Sequence, residues 1–194
     1  MMRKSPILLL FFMLSISLTN GQGADITDPH EAVAQYNLTG DMYLKGEEVE
    51  QDYGKALFWF KKAARLNHAE AQYHVGDLFY NGLGVRTNLK KAFYWYQRAA
   101  QNGHAEAQVC MGLMYLNGET VPEDQRKAIS WFRKAAKQDS ARAFFHLGLA
   151  RATGNGAKKD MKKAADWYRK AADRGFAKAQ YNLGLLCAQG KGVD

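Results

Sequence analysis

From about residue 33 onward, apolar positions recur three and four residues apart, the spacing of one buried helix face. In the stretch from Ala69 to Tyr80 the apolar stripe holds Ala71, Val75, Gly76 and Phe79. After the polar, glycine-bearing segment "NGLGVRTN" a second stripe begins, with Ala92, Trp95, Tyr96 and Ala99 on one face. The pattern predicts a helix A from about Ala69 to Tyr80, stopping at Gly82, and a helix B starting behind Asn88. The pair then repeats. Trp59, Trp95, Trp131 and Trp167 stand 36 residues apart, and Gly40, Gly76, Gly112, Gly148 and Gly184 keep the same period. So do Gly46, Gly82, Gly118, Gly154 and Gly190, and the alanine pairs beginning at Ala63, Ala99, Ala135 and Ala171. A fixed period of this length is the signature of a stacked repeat architecture.

Start and stop signals agree in each unit. Asp52, Asn88, Asp124 and Asp160 precede helix B and are residue types whose side chains accept a bond from an orphan amide, worth about 1 kcal/mol each. Asn67, Gly103, Asp139 and Gly175 follow helix B and tolerate the left-handed conformation of a C-terminal cap. Gly76 and its equivalents fall inside helix A, where glycine costs roughly 1 kcal/mol against alanine. Paying that cost in every unit predicts a close helix crossing that a side chain would block. The tryptophans are expected to fill the space beside the alanines, as packing between repeats.

Units such as "AEAQYHVGDLFYNGLGVRTNLKKAFYWYQRAAQNGH" resemble Sel-one-like repeats, relatives of the tetratricopeptide repeats. The resemblance covers residues 33 to 194 and rests on A-x-A-Q, the LG pair, G-x-G-V, K-A and the tryptophan at fixed spacings. It implies an all-α fold, a right-handed α-solenoid of tandem helix-turn-helix repeats with the A helices lining the concave face. The expected units are 33–68, 69–104, 105–140, 141–176 and a partial fifth at 177–194, after a lead-in at 22–32. Some departures are local: Glu47-Glu48 break the G-x-G loop of the first unit, Thr120 stands for the second loop glycine of the third, Phe144 replaces the glutamine, and Arg151 the usual tyrosine. Such positions are candidates for where a partner is read.

The first residues read differently. Arg3 and Lys4 precede an apolar run from Ile7 to Leu18, and small residues follow at Thr19, Gly21 and Gly23. The run is too short to span a bilayer, so residues 1–21 are expected to be a secretory signal peptide. The protein would then be exported, periplasmic or secreted if bacterial. Removing Arg3 and Lys4 lowers the formal charge from +8 to +6. Export invites disulfides, but Cys110 and Cys187 are the only cysteines and fall two repeats apart. Secreted relatives with a cysteine pair in each repeat have been described as penicillin-binding or β-lactamase-like. That pair is missing here, and the activity is not carried over.

On helix A the stripe opposite the core holds Glu70, His74 and Asn81, then Glu106, Cys110 and Asn117. Later units place Arg142, His146 and Thr153 there, then Lys178 and Asn182. Variable positions on a constant scaffold are what a binding surface would show; solvated surface varies in the same way. The turn from acidic Glu70 and Glu106 to basic Arg142 and Lys178 suggests an extended protein or peptide partner of opposite polarity. Helix B's outer face is basic in every unit, including Lys61, Lys62, Arg98, Arg133, Lys134 and Lys170. It reads either as solvated surface or as attraction to an anionic envelope surface or cell-wall carbohydrate. No aromatic interleaves that face as single-stranded nucleic acid would require. The last helix A, with Tyr181, Leu183 and Leu185, presents an apolar face open to self-association or a partner.

Catalytic chemistry finds little support. His74, Cys110 and His146 occupy one position of successive units, but stacked repeats hold equivalent residues on the order of 10 Å apart. A nucleophile and its base need about 3 Å, and a zinc site needs comparable convergence. No phosphate loop, carboxylate pair or serine motif is present, so no catalytic, metal or cofactor residue is assigned. His68 and His104 are expected to make ordinary loop contacts.

Overall fold

The computed structural model describes residues 29–192; the expected leader at 1–21 and most of the lead-in lie outside them. Among the described residues there are nine helices and no strand: α1 Pro29–Lys45, α2 Tyr53–Arg65, α3 Ala69–Asn81, α4 Leu89–Gln101, α5 Ala105–Asn117, α6 Gln125–Ala136, α7 Ala141–Thr153, α8 Met161–Ala172 and α9 Ala177–Ala188. Odd-numbered helices are the A helices and even-numbered ones the B helices. Each helix packs on the one before and the one after it, giving an all-α repeat solenoid. The first A helix begins earlier than the period alone predicts, at Pro29.

The caps behave as the residue types require. Asp52, Asn88 and Asp124 accept from the amides of Lys55, Lys91 and Lys127 at 2.9 Å, and Asp160 accepts from that of Lys163 at 3.0 Å. Asn67 and Asp139 hold φ at 64° and 66°, the left-handed region entered at the end of helix B. The histidines at the repeat boundaries do more than make loop contacts. His68 Nδ1 and His104 Nδ1 cap α3 and α5, accepting from Ala71 and Ala107 amides at 3.3 and 3.2 Å. Ser140 does the same for α7, while Phe176 gives α9 no side-chain cap.

The mid-helix glycines are explained by rings rather than by tryptophans. A Cβ on Gly40, Gly76, Gly112 or Gly148 would lie 2.6 Å or closer to Phe60, Tyr96, Phe132 or Tyr168 of the same repeat. Those rings are buried, whereas all four tryptophans, one residue earlier on helix B, are only partly so. The tryptophans therefore sit at the rim of the packing and not in its centre. A cation lies over each: Lys62 at 4.5 Å, Arg98 at 5.4 Å, Lys134 at 3.9 Å and Lys170 at 4.6 Å from the ring centroid. Three-residue helical spacing makes that cover automatic.

Neighbouring repeats are joined by the same rings and by glutamine. The sixth residue of the next A helix meets two of these rings from the other side: His74 stacks on Phe60 at 4.6 Å and His146 on Phe132 at 4.7 Å. Gln72 and Gln108 are buried, donating to the Ala64 and Ala100 carbonyls at 3.1 Å across the repeat boundary. Each also accepts, from Asn102 at 2.9 Å and Gln138 at 3.0 Å. Phe144, at the equivalent position, stacks instead on Trp167, with 5.6 Å between centroids and 22° between planes.

Candidate functional site

The A helices bring the variable stripe together, but not as a row of free side chains. His74 is mostly buried, its side chain 19% exposed, with Nε2 3.7 Å from Asp41 and 3.9 Å from Glu70. Burial lowers its pKa, with Asp41 acting against that. Cys110 is half-buried, and burial pushes its thiol up to about 12, so it is no thiolate at neutral pH. His146 is held down to about 4 by burial and by the charges of Arg142 and Lys178. Its Nδ1 is buried and unpartnered. Cys110 lines one cavity wall with Tyr96. Thus the position expected to be surface is a joint between repeats.

The charge gradient is also altered by contact. Arg142 Nη1 donates to Glu106 Oε2 at 2.5 Å across one full repeat. Glu106 and Arg142 therefore neutralise each other, leaving Glu70 and Lys178 as the exposed charges at the two ends of the expected gradient. Thr153 turns its hydroxyl back to the Leu149 carbonyl at 2.9 Å. Asn81 donates to the Asp77 carbonyl at 3.1 Å, and Asn117 to Glu119 Oε1 at 2.9 Å.

A cavity of about 270 Å³ lies where α3, α4 and α5 meet, closed on one side by Arg142 of α7. Its lining includes Tyr73, Asp77, Tyr80, Asn81, Tyr96, Cys110, Leu113 and Glu119. Three of the stripe residues, Asn81, Cys110 and Arg142, line it. The Tyr96 hydroxyl donates to Asp77 Oδ1 at 3.3 Å, and that of Tyr80 to Glu119 Oε1 at 3.4 Å. Burial raises the pKa of all three tyrosines, Tyr73 to about 12, so the hydroxyls remain protonated donors. Neither Asp77 nor Glu119 makes an ion pair among the described residues.

Asp77, Tyr73, Tyr80 and Glu119 were not among the expected site residues. Asp77 falls on the same helical stripe as Glu70, His74 and Asn81, so its signal was present in the spacing. Glu119 depends on the loop. Gly84 and Gly156 hold φ at +67° and +69°, pressed against the backbone of the preceding B helix. In the first repeat Glu48 keeps that conformation at 63°, but Thr120 does not adopt it. The loop of the third repeat thus takes another course, and Glu119 meets Tyr80.

Two further features complete the surface. A shallower groove of about 540 Å³ is lined by Arg133, Lys137, Phe144, Trp167, Lys170 and Arg174. At the far end Tyr181 is 73% exposed, and a Cβ on Gly184 would meet nothing within 4 Å. Among the described residues no group of His, Cys, Asp and Glu could hold a metal ion, and no helix is long and apolar enough to cross a membrane.

The Sel1 repeat family model matches residues 32–68, 69–104, 105–140, 141–176 and 177–194. Among solved structures, a protective antigen of uropathogenic Escherichia coli with an SLR fold is 33% identical, with a TM-score of 0.79. That match covers 84% of this chain but only 35% of the antigen's length. A Sel1 repeat protein from Oxalobacter formigenes is 32% identical with a TM-score of 0.79, covering 96% of this chain and 78% of that one. Cysteine-rich protein B of Helicobacter pylori is 28% identical with a TM-score of 0.55, covering 71% and 99%. No curated protein matches the chain.

Proposed function

This chain belongs to the Sel1 repeat family of protein-interaction scaffolds, and we propose that it is an exported scaffold holding a protein or peptide on its A-helix face. The observation that carries the reading is the cavity: side chains from three successive A helices line it, and they occupy positions that vary between repeats while the glycine–ring framework does not. The A-helix side is the concave one by analogy with related solenoids, which suits an extended segment. The leader-like N-terminus supports export. That the E. coli relative is a protective antigen supports a role at the envelope or toward a host, as an adaptor or regulator. A buried, protonated Cys110 supports a binding role for this face over a nucleophilic one.

The test is a crosslinking capture from native envelope or culture supernatant, with the chain from Gln22 as bait. The comparison is a variant with Tyr73 and Asp77 replaced by the valine and leucine that stand at the equivalent positions of the next repeat. Capture of one protein by the native bait and its loss with the variant is the expected result. Equal capture by both would move the site off this face.

A second reading has one observation in its favour. The groove beside Trp167 combines Phe144 and Trp167 with Arg133, Lys137 and Lys170, while Arg174 is paired with Asp139, a chemistry suited to an anionic cell-wall carbohydrate. Binding of isolated anionic polysaccharide that moderate salt abolishes would favour it; salt-resistant capture of a single protein would favour the scaffold.

A further inference from the structure

The geometry points to a specific anchor: the cavity between repeats two and three seats one cationic side chain, an arginine or lysine, of the bound protein. This rests on the reading of the A-helix face as the binding face. Size is the first argument. At about 270 Å³ the cavity falls just below the roughly 300–1,000 Å³ of small-molecule sites, which suits a single side chain rather than a cofactor.

Charge is the second. Arg142 is engaged by Glu106, so the unmatched charge at the wall is that of Asp77 and Glu119. Asp77 Oδ1 takes the Tyr96 hydroxyl and Glu119 Oε1 that of Tyr80, which fixes both carboxylates in place before any guest arrives. Asp77 Oδ2 accepts no bond among the described residues and is open to a donor. The tyrosine rings complete the match, because a cation is attracted to the face of an aromatic ring and its aliphatic stem packs against the same surface.

Locality is the third. The next repeat carries Val109, Leu113 and Leu116 where this one has Tyr73, Asp77 and Tyr80. The solenoid is built equally well with either set, so stacking does not require the polar one. The combination occurs once in the array, beside the one loop whose altered course delivers Glu119.

Two measurements on the full chain test this. Nα-acetylarginine methylamide, the lysine analogue and the neutral citrulline analogue are titrated while amide NMR shifts of Cys110, Leu113 and Glu119 are followed. Saturable shifts are expected with the two cations and not with citrulline, weakened roughly tenfold in Asp77→Asn/Glu119→Gln, since charge-assisted bonds are the stronger kind. Both substitutions keep shape, and an unchanged unfolding midpoint confirms the fold. Tyr80→Leu, at an exposed ring, serves as a second variant and is expected to weaken the same shifts. In parallel, a random peptide library is selected on the native chain and on the double variant.

Enrichment of a basic position that disappears on the double variant supports the anchor. Peptides that bind both proteins alike, with no basic enrichment, overturn the anchor and leave the scaffold reading standing. Cation shifts at the cavity with no peptide selected support the anchor site and count against the scaffold. Shifts equal for arginine and citrulline, or indifferent to the double variant, overturn the inference.

Discussion

The imidazole of His146 lies flat against the ring of Phe132, with 4.7 Å between centroids and 11° between planes. Burial holds its pKa to about 4 against an ordinary 6.5, and Arg142 and Lys178 push in the same direction. As pH falls below 6.5 the unfolded chain takes up this proton and the folded chain does not. The contribution is therefore intact above the ordinary value and is lost as pH falls toward 4, a loss of about 3 kcal/mol. His74 and His104, both lowered by burial, add to the same slope. His146→Leu is expected to reduce the fall in stability between neutral and mildly acidic pH. Urea unfolding at the two pH values measures it, and identical slopes for both proteins would refute the assignment.

One substitution at two equivalent positions should give opposite signs. Gly112→Ala drives a methyl into the Phe132 ring and is expected to destabilise by about 1–3 kcal/mol. Gly184→Ala meets nothing within 4 Å inside α9 and is expected to stabilise by up to about 1 kcal/mol through helix propensity. Thermal unfolding of the two single variants decides it. If both move the midpoint the same way, the ring contact is not why the glycines recur.

Gln72 is a buried bracket between repeats, so its amide should matter more than its bulk. Gln72→Leu keeps the volume but leaves the Ala64 carbonyl and the Asn102 amide without this partner. A loss of about 1–3 kcal/mol is expected. Hydrogen exchange should accelerate first around the boundary between the first and second repeats. A loss spread evenly over the array would contradict a local bracket.

The Glu106–Arg142 pair predicts a small stability effect. Both side chains are 39% exposed, so solvent screens the attraction, and a double-mutant cycle should return about 0.2–1 kcal/mol. Reversing Glu106 alone should also move the Arg142 side chain, seen as NMR shifts at Cys110 across the cavity. A coupling energy indistinguishable from zero, with no such shifts, would mean that the pair does not hold Arg142 in place.

The helices, their caps and the role of the framework glycines were legible because each is written in short-range spacing and repeated. Asp52 is an N-cap whatever lies beyond it, and Gly76 must lie against something close. Which ring met that glycine was not legible, since Trp95 and Tyr96 are adjacent and both lie toward the core by helical spacing. The difference is one of a fraction of a turn, and only packing resolves it. His68 and His104 were missed as caps because histidine is an unusual capping type. The stripe through His74, Cys110 and His146 follows from helical spacing, but its depth depends on the neighbouring repeat's ring. Glu119 was legible only as a departure from the loop pattern; its meeting with Tyr80 follows from a backbone conformation that Thr120 does not adopt.

The buried ring on each B helix touches the glycine of its own repeat and a residue of the next, so it acts as the pin of a joint. Tyr96 is such a pin, and it is also a wall of the cavity. A guest resting there touches three consecutive A helices and bears directly on the pivot between two of them. Seen mechanically, the solenoid is a row of coils separated by equivalent bearings, and one bearing has an opening to the outside. Filling that opening would bear on one coil boundary alone, since the next repeat carries Val109, Leu113 and Leu116 in place of the polar wall.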